Sequence, residues 1–200
     1  MSCQQNVLLM YWGRLGGGLR YSQKLARELN NHSDLNLFGS FSLNSDNSVD
    51  FSFIPHSRRF DVSTYSNLFE FLVSSLFLPV LALRFILYLK KFNIKVVLCS
   101  MHHVWNPVIV FFLRIAKIKY VLVVHDATPH KGENSLIPSF LLAIDIRLAN
   151  RLVALSKNVF NTLVTDFRFP VNSVCRSSMG IFTFLPKAIC PRSFPKDNTF

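Results

Sequence analysis

Four short runs of this chain are almost wholly apolar, and each is followed by a stretch with helical spacing. They are Asn6–Tyr11 (NVLLMY), Lys95–Ser100 (KVVLCS), Lys119–His125 (KYVLVVH) and Arg151–Ser156 (RLVALS). Runs of this length that lack polar alternation belong to strands covered on both faces, as in a parallel sheet. Leu19–Asn30 reads as an amphipathic helix with Leu19, Leu25, Ala26 and Leu29 on one side. Thr64–Lys91 reads as a helix broken or kinked at Pro79. A third helix starts near Pro107, where proline is tolerated in the first turn. Two more cover Pro138–Asn150 and Lys157–Asp166, the last capped by Ser156. Leu35–Phe38, Asp50–Ile54 and Ser173–Cys175 read as further short strands, and Ser40–Ser48 as a solvated loop. Alternation of this kind predicts an α/β fold with right-handed crossovers. The pattern fades after Gly180, so a domain over 1–182 and a proline-rich linker or tail over 183–200 are expected.

Half of the 200 residues are hydrophobic, which excludes a disordered or low-complexity chain. Lys and Arg number 22 against 11 Asp and Glu, a net charge of +11, and 20 residues are Phe. A basic, apolar domain suits an anionic partner: a phosphorylated ligand, a nucleic acid or an anionic lipid surface. Nucleic acid is disfavoured because no helix concentrates the basic residues and the aromatics read as core. The four cysteines, Cys3, Cys99, Cys175 and Cys190, form no CxxC pair, against a zinc ribbon or a disulfide framework. The N-terminus shows no signal-peptide pattern, so a cytoplasmic location is expected.

The most apolar stretch, Leu68–Leu89, is interrupted by Glu70, Pro79 and Arg84. A buried or interfacial helix is therefore expected rather than a span of about 20 apolar residues. Arg84, Lys90, Lys91 and Lys95 make docking on an anionic leaflet the natural membrane mode.

In an open parallel sheet, ligands bind beyond the carboxyl ends of the strands. After the first strand come Gly13, Gly16, Gly17 and Gly18, then a helix, a turn suited to close approach by an anion. The loop does not match GxGxxG and no acidic residue ends the second strand, against NAD. His102 and His103 follow the strand ending at Ser100. His125, Asp126, His130, Lys131, Gly132 and Glu133 follow the next. The four histidines, with Asp126 and Glu133, are candidates for acid/base groups, for partners of phosphate or sugar hydroxyls, or for metal ligands. HExxH, GxSxG and GxxxxGK[ST] are all absent.

VLLMYWGRLGGGLRYSQKLARELN, VVHDATPHKGE, ANRLVALSKNV and SSMGIF occur in the order seen in family 4 glycosyltransferases, and Asn6–Phe182 resembles their N-terminal half. The resemblance implies a Rossmann-like domain, half of a GT-B fold. It implies a retaining transferase that moves sugar from a nucleotide-sugar to a glycan or lipid-linked acceptor on the cytoplasmic membrane face. The nucleotide-sugar is a substrate; no separate cofactor or catalytic metal is implied. Gly16, Gly17 and Gly18 match the loop facing the donor diphosphate, and His125, with Asp126 beside it, matches the histidine lining the cleft near the donor sugar. His130, Gly132 and Glu133 match the following loop, Ser156 a serine after a later strand, and Gly180 a glycine before the second domain. Ser178 and Met179 depart from the proline and histidine common there, and no E-x7-E motif occurs among Glu28, Glu70 and Glu133. Activity would then need a C-terminal domain or partner chain. The alternatives are a non-catalytic acceptor-binding or scaffold subunit, and a metal-dependent hydrolase using His102, His103, His125, Asp126 and His130.

Overall fold

The structure, a computed structural model, describes residues 4–46, 49–126 and 136–176. Six parallel strands form one sheet in the order β2-β1-β3-β4-β5-β6. They are β1 Gln5–Tyr11, β2 Leu35–Phe41, β3 Val96–Cys99, β4 Lys119–Val124, β5 Arg151–Ala154 and β6 Val174–Arg176. The helices are α1 Gly17–Asn30, α2 Leu68–Leu76, α3 Leu78–Lys91, α4 Asn106–Ile115, α5 Leu136–Leu148 and α6 Lys157–Thr165. This is the expected Rossmann-like α/β sheet with helices on both faces.

The period of two along each strand sorts the core into two layers. Val7, Leu9 and Tyr11 of β1 face the same side as Leu19, Leu25 and Leu29 of α1. Leu8 and Met10 face the other side, where Phe85 and Leu89 of α3, Leu113 of α4, Ile146 of α5 and Leu163 of α6 pack. Strand β1 is buried on both faces from Val7 to Tyr11. That double burial is why the strand runs carry so little polar alternation.

Three segments differ from the sequence expectation. Ser40–Ser48 is not wholly a solvated loop: β2 runs on through Ser40 and Phe41, which are buried with Ser42 because this end of the strand is covered by the segment around Phe60–Val62. Asp50–Ile54 is not a strand; Phe51 and Ile54 turn inward and are buried, and Phe51 stacks on Phe41 with ring centroids 3.8 Å apart. The β2 edge is instead met by parallel bridges Gly39–Arg59 and Ser42–Val62. The run Thr64–Lys91 is two helices, broken at Phe77 and bent by 62°. Pro79 lies in the first turn of α3, where its missing N–H leaves no bond unmade. The start of α2 is fixed by Asn67, whose Oδ1 accepts the Glu70 N–H at 2.9 Å, while Glu70 accepts from the Ser66 N–H at 2.6 Å. Among the described residues no single helix is long and apolar enough to cross a membrane.

Candidate functional site at the strand carboxyl ends

Strand β1 pairs with β2 on one side and β3 on the other. The chain leaves β1 toward β2 and later returns past it to β3, so the loops after β1 and β3 diverge. That divergence opens the crevice where open α/β sheets take ligands.

The loop after β1 is anchored by Trp12, a buried ring whose Nε1 donates to Ser40 Oγ at 2.9 Å. Gly16 then adopts φ 86° and ψ −164°, a backbone region open in practice only to glycine. Gly16 is also the N-cap of α1, so no side chain caps the first turn, and no acidic residue lies in it. The N-terminal N–H groups of α1 thus keep their partial positive charge for an anion. Gly18 serves a different need. A Cβ there would lie 2.5 Å from Met101 Sδ and 3.1 Å from the Tyr11 hydroxyl, so its absence leaves room for the Met101 side chain from the loop after β3.

Hydroxyls join α1 to the end of β3. Ser22 Oγ donates to the Gly18 carbonyl at 2.6 Å and lies 2.6 Å from Ser100 Oγ. Ser22 and Ser100 are fully buried. The next strand end adds His125, whose Nε2 donates to the Ser100 carbonyl at 3.0 Å. The ring of Tyr21 on α1 meets the imidazole edge-on at 4.4 Å. Burial depresses the His125 pKa, against the opposing pull of the Ser100 carbonyl and Asp126. The ring is therefore neutral at pH 7 with its proton on Nε2, and Nδ1 is left as an acceptor. The glycine turn, the β3 end and His125 thus form one contiguous group.

The two histidines after β3 turn elsewhere. His102 Nδ1 lies 2.7 Å from Oδ2 of Asp145, a fully buried carboxylate on α5. The same oxygen accepts from Asn106 Nδ2 at 3.0 Å and from the Tyr120 hydroxyl at 3.3 Å. This network ties β3, α4, β4 and α5 together beneath the crevice. His103 packs edge-on against Trp12 and Trp105 and beside Tyr65, and its Nδ1 accepts the Trp105 N–H at 3.3 Å. Burial, with His102 close by, pushes its pKa down to about 3. Ser156 caps α6, its Oγ accepting the Val159 N–H at 3.1 Å. Asp126 is exposed at the mouth beside His125. Among the described residues no three His, Cys, Asp or Glu side chains converge to hold a metal ion. His130, Gly132, Glu133 and Gly180 lie outside the described residues.

Asp145, Ser22, Ser100 and Tyr21 are missed by motif reading. Asp145 does carry a signal, being the one acid in the apolar helix LIPSFLLAIDIRL. An acid there either faces water or is buried with partners.

No protein-family model matches the chain, and no curated protein matches it in sequence. Solved structures do. UDP-GlcNAc 2-epimerase from Neisseria meningitidis, bound to UDP-GlcNAc, aligns with TM-score 0.64 and 11% identity, over 86% of this chain and 45% of that one. The lipopolysaccharide outer core galactosyltransferase WaaB aligns with TM-score 0.58 and 12% identity, over 86% and 44%. HepE from Anabaena, in complex with UDP and glucose, aligns with TM-score 0.55 and 10% identity, over 86% and 44%. The chain therefore spans less than half the length of each. At such identities the likeness is one of fold: this chain carries a Rossmann-like sheet matching one half of GT-B-type structures.

Proposed function

We propose that the chain is the N-terminal, acceptor-side half of a glycosyltransferase of the family 4 kind, acting on a nucleotide-sugar with retention. The acceptor is a glycan or a lipid-linked sugar, and a second Rossmann-like unit completes the donor site. The observation that carries this reading is the joining of an uncapped glycine turn to a neutral, fixed imidazole across the β1–β3 divergence. Two of the neighbours hold UDP or a UDP-sugar, which supports a nucleotide-sugar as the ligand class.

The roles follow from the chemistry of each group. The departing diphosphate gains negative charge as the sugar leaves, and the N–H groups at Gly17 and Gly18 would stabilise that charge. His125 Nδ1, an acceptor, would take a hydrogen bond from a sugar hydroxyl and orient the ring carbon under attack. Asp126, exposed beside it, would favour positive charge developing at the sugar. Ser100 acts through His125, because its carbonyl fixes which nitrogen carries the proton.

The reading is tested by saturation-transfer NMR of the full chain with UDP-glucose and UDP-GlcNAc at millimolar concentration. Transfer to the sugar and phosphate-proximal protons is expected, and His125→Ala should reduce the sugar signals while leaving the uridine signals. Absence of any nucleotide-sugar contact, alone and with a C-terminal GT-B half supplied in trans, would overturn it.

A further inference from the structure

Helix α3 carries apolar side chains on its outer face as well as its inner one, with Arg84, Lys90 and Lys91 among them. Leu78, Ala82, Phe85 and Leu89 are buried against the sheet, yet the opposite face presents Val80, Leu83 and Leu87 to solvent. Helix α2 goes further, with none of its nine residues buried. Phe69 is 75% exposed, Leu76 79% and the following Phe77 63%. Helix α4, packed beside α3, adds exposed Val108, Phe111 and Ile115 at helical spacing. Single exposed apolar residues are ordinary, but a continuous field over three neighbouring helices marks an interaction surface.

The charges on these helices say what it fits. Arg84, Lys90 and Lys91 lie exposed on α3, and Arg114 and Lys117 are exposed at the end of α4. The one acid among them, Glu70, is engaged by Ser66 and Asn67 at the start of α2. We propose that the outer face of α2, α3 and α4 docks on an anionic lipid bilayer, its apolar side chains entering the interface and its basic groups meeting the headgroups. A second copy of the chain fits poorly, because the face would bring five cations against five. A transmembrane span fits poorly too. The inner face of α3 belongs to the core, and α2, about 13 Å long, covers less than half of a hydrocarbon core of about 30 Å.

The surface adjoins the crevice. Arg14, from the loop after β1, donates to Ser66 Oγ at 3.0 Å, Tyr65 packs on His103, and Trp105 Nε1 donates to Ser75 Oγ on α2 at 3.1 Å. A bilayer held on α2 would therefore stand at the crevice mouth. This inference rests on the surface and holds whether or not the crevice transfers sugar.

Flotation of the full chain with vesicles tests it without any sugar present. Vesicles of phosphatidylcholine with phosphatidylglycerol should carry the protein, at least tenfold better than phosphatidylcholine alone. Each surface cation is worth about fivefold in partition, so Arg84→Gln, Lys90→Gln and Lys91→Gln together should weaken binding about 100-fold. Leu76→Ser with Phe77→Ser should weaken it by tenfold or more. These positions are exposed, so circular dichroism and the unfolding midpoint should stay unchanged, separating lost docking from lost fold. No flotation on anionic vesicles, equal flotation on neutral ones, or a dimer dissolved by Phe77→Ser with vesicle binding intact would each overturn the proposal.

Discussion

His103 should make this protein lose stability as the pH falls from 7 to 5, by an amount that follows from its surroundings. The ring packs among Trp12, Tyr65 and Trp105, and burial pushes its pKa down to about 3 in the folded chain. In the unfolded chain a histidine titrates near 6.5. Above pH 6.5 both states are neutral at this site and pH has no effect through it. Below 6.5 the unfolded chain takes up a proton that the folded chain refuses, so the balance shifts toward unfolding until about pH 3. Between pH 7 and 5 the linkage relation gives a loss of about 2 kcal/mol from this one group. His125, also depressed by burial, acts in the same direction. The measurement is the urea midpoint and slope at pH 7, 6 and 5 for the native chain and for His103→Gln, which keeps an acceptor for the Trp105 N–H but does not titrate. The two stability curves should separate as the pH falls, with the native chain the steeper by about 2 kcal/mol over the range. Parallel curves would refute the argument, for they would mean that His103 reaches water and is protonated in the folded state.

Other consequences are as direct. Gly16→Ala should cost about 1–3 kcal/mol, because only glycine holds its backbone easily, whereas Gly17→Ala, with open space around its Cβ, should be neutral or gain up to about 1 kcal/mol; chemical denaturation of the pair reads the difference. Asp145→Ala should cost about 2–4 kcal/mol by taking an acceptor from the buried Asn106 and Tyr120 and the half-buried His102, and Asp145→Asn less, again read as unfolding midpoints. Cys99 and Cys175 are buried with raised thiol pKa values, that of Cys99 up to about 12, so peptide mapping after brief alkylation should find both unmodified until the chain is unfolded.

The sheet was legible because double burial leaves short, almost wholly apolar runs with polar flanks and many β-branched residues, and their length suits a strand better than a helix. NVLLMY, KVVLCS, KYVLVVH and RLVALS all become central strands, and their order along the chain with right-handed crossovers limits the topology to a few choices. Asp50–Ile54 misled because Phe51 and Ile54 are apolar for a different reason: they plug the α1-side core from a turn. The stretch Thr64–Lys91 shows its helicity but not its break, since Phe77 carries no helix-ending signal and Pro79 suits a helix start. At the site, the sequence shows which strand ends carry histidine but not where each imidazole turns. His102 and His103 are adjacent in sequence, yet one meets a carboxylate on α5 and the other an aromatic group from the loops after β1 and β2. Those partners lie 43, 38 and 91 positions away for Asp145, Tyr65 and Trp12, separations that no local pattern encodes.

The four residues Thr64–Asn67 join the two proposals physically. Thr64 Oγ1 lies 2.6 Å from Ser42 Oγ just beyond β2, Tyr65 packs on His103, Ser66 accepts from Arg14, and Asn67 starts α2. The segment that begins the docking helix is thus bonded to the loops that bound the crevice. A helix with no buried residue of its own takes its orientation from such ties. Thr64→Val and Arg14→Ala together remove two of them while leaving the exposed apolar side chains of α2 unchanged. If the ties orient α2, this variant should still float with anionic vesicles, because the docking groups remain. Its α2 amides should exchange faster than those of the native chain in solution, and regain protection on vesicles, where lipid replaces the lost ties. Unchanged exchange in solution would show that the Thr64 and Arg14 ties do not orient α2, and that it is held by the Tyr65 packing, the Ser75–Trp105 bond and its junction with α3.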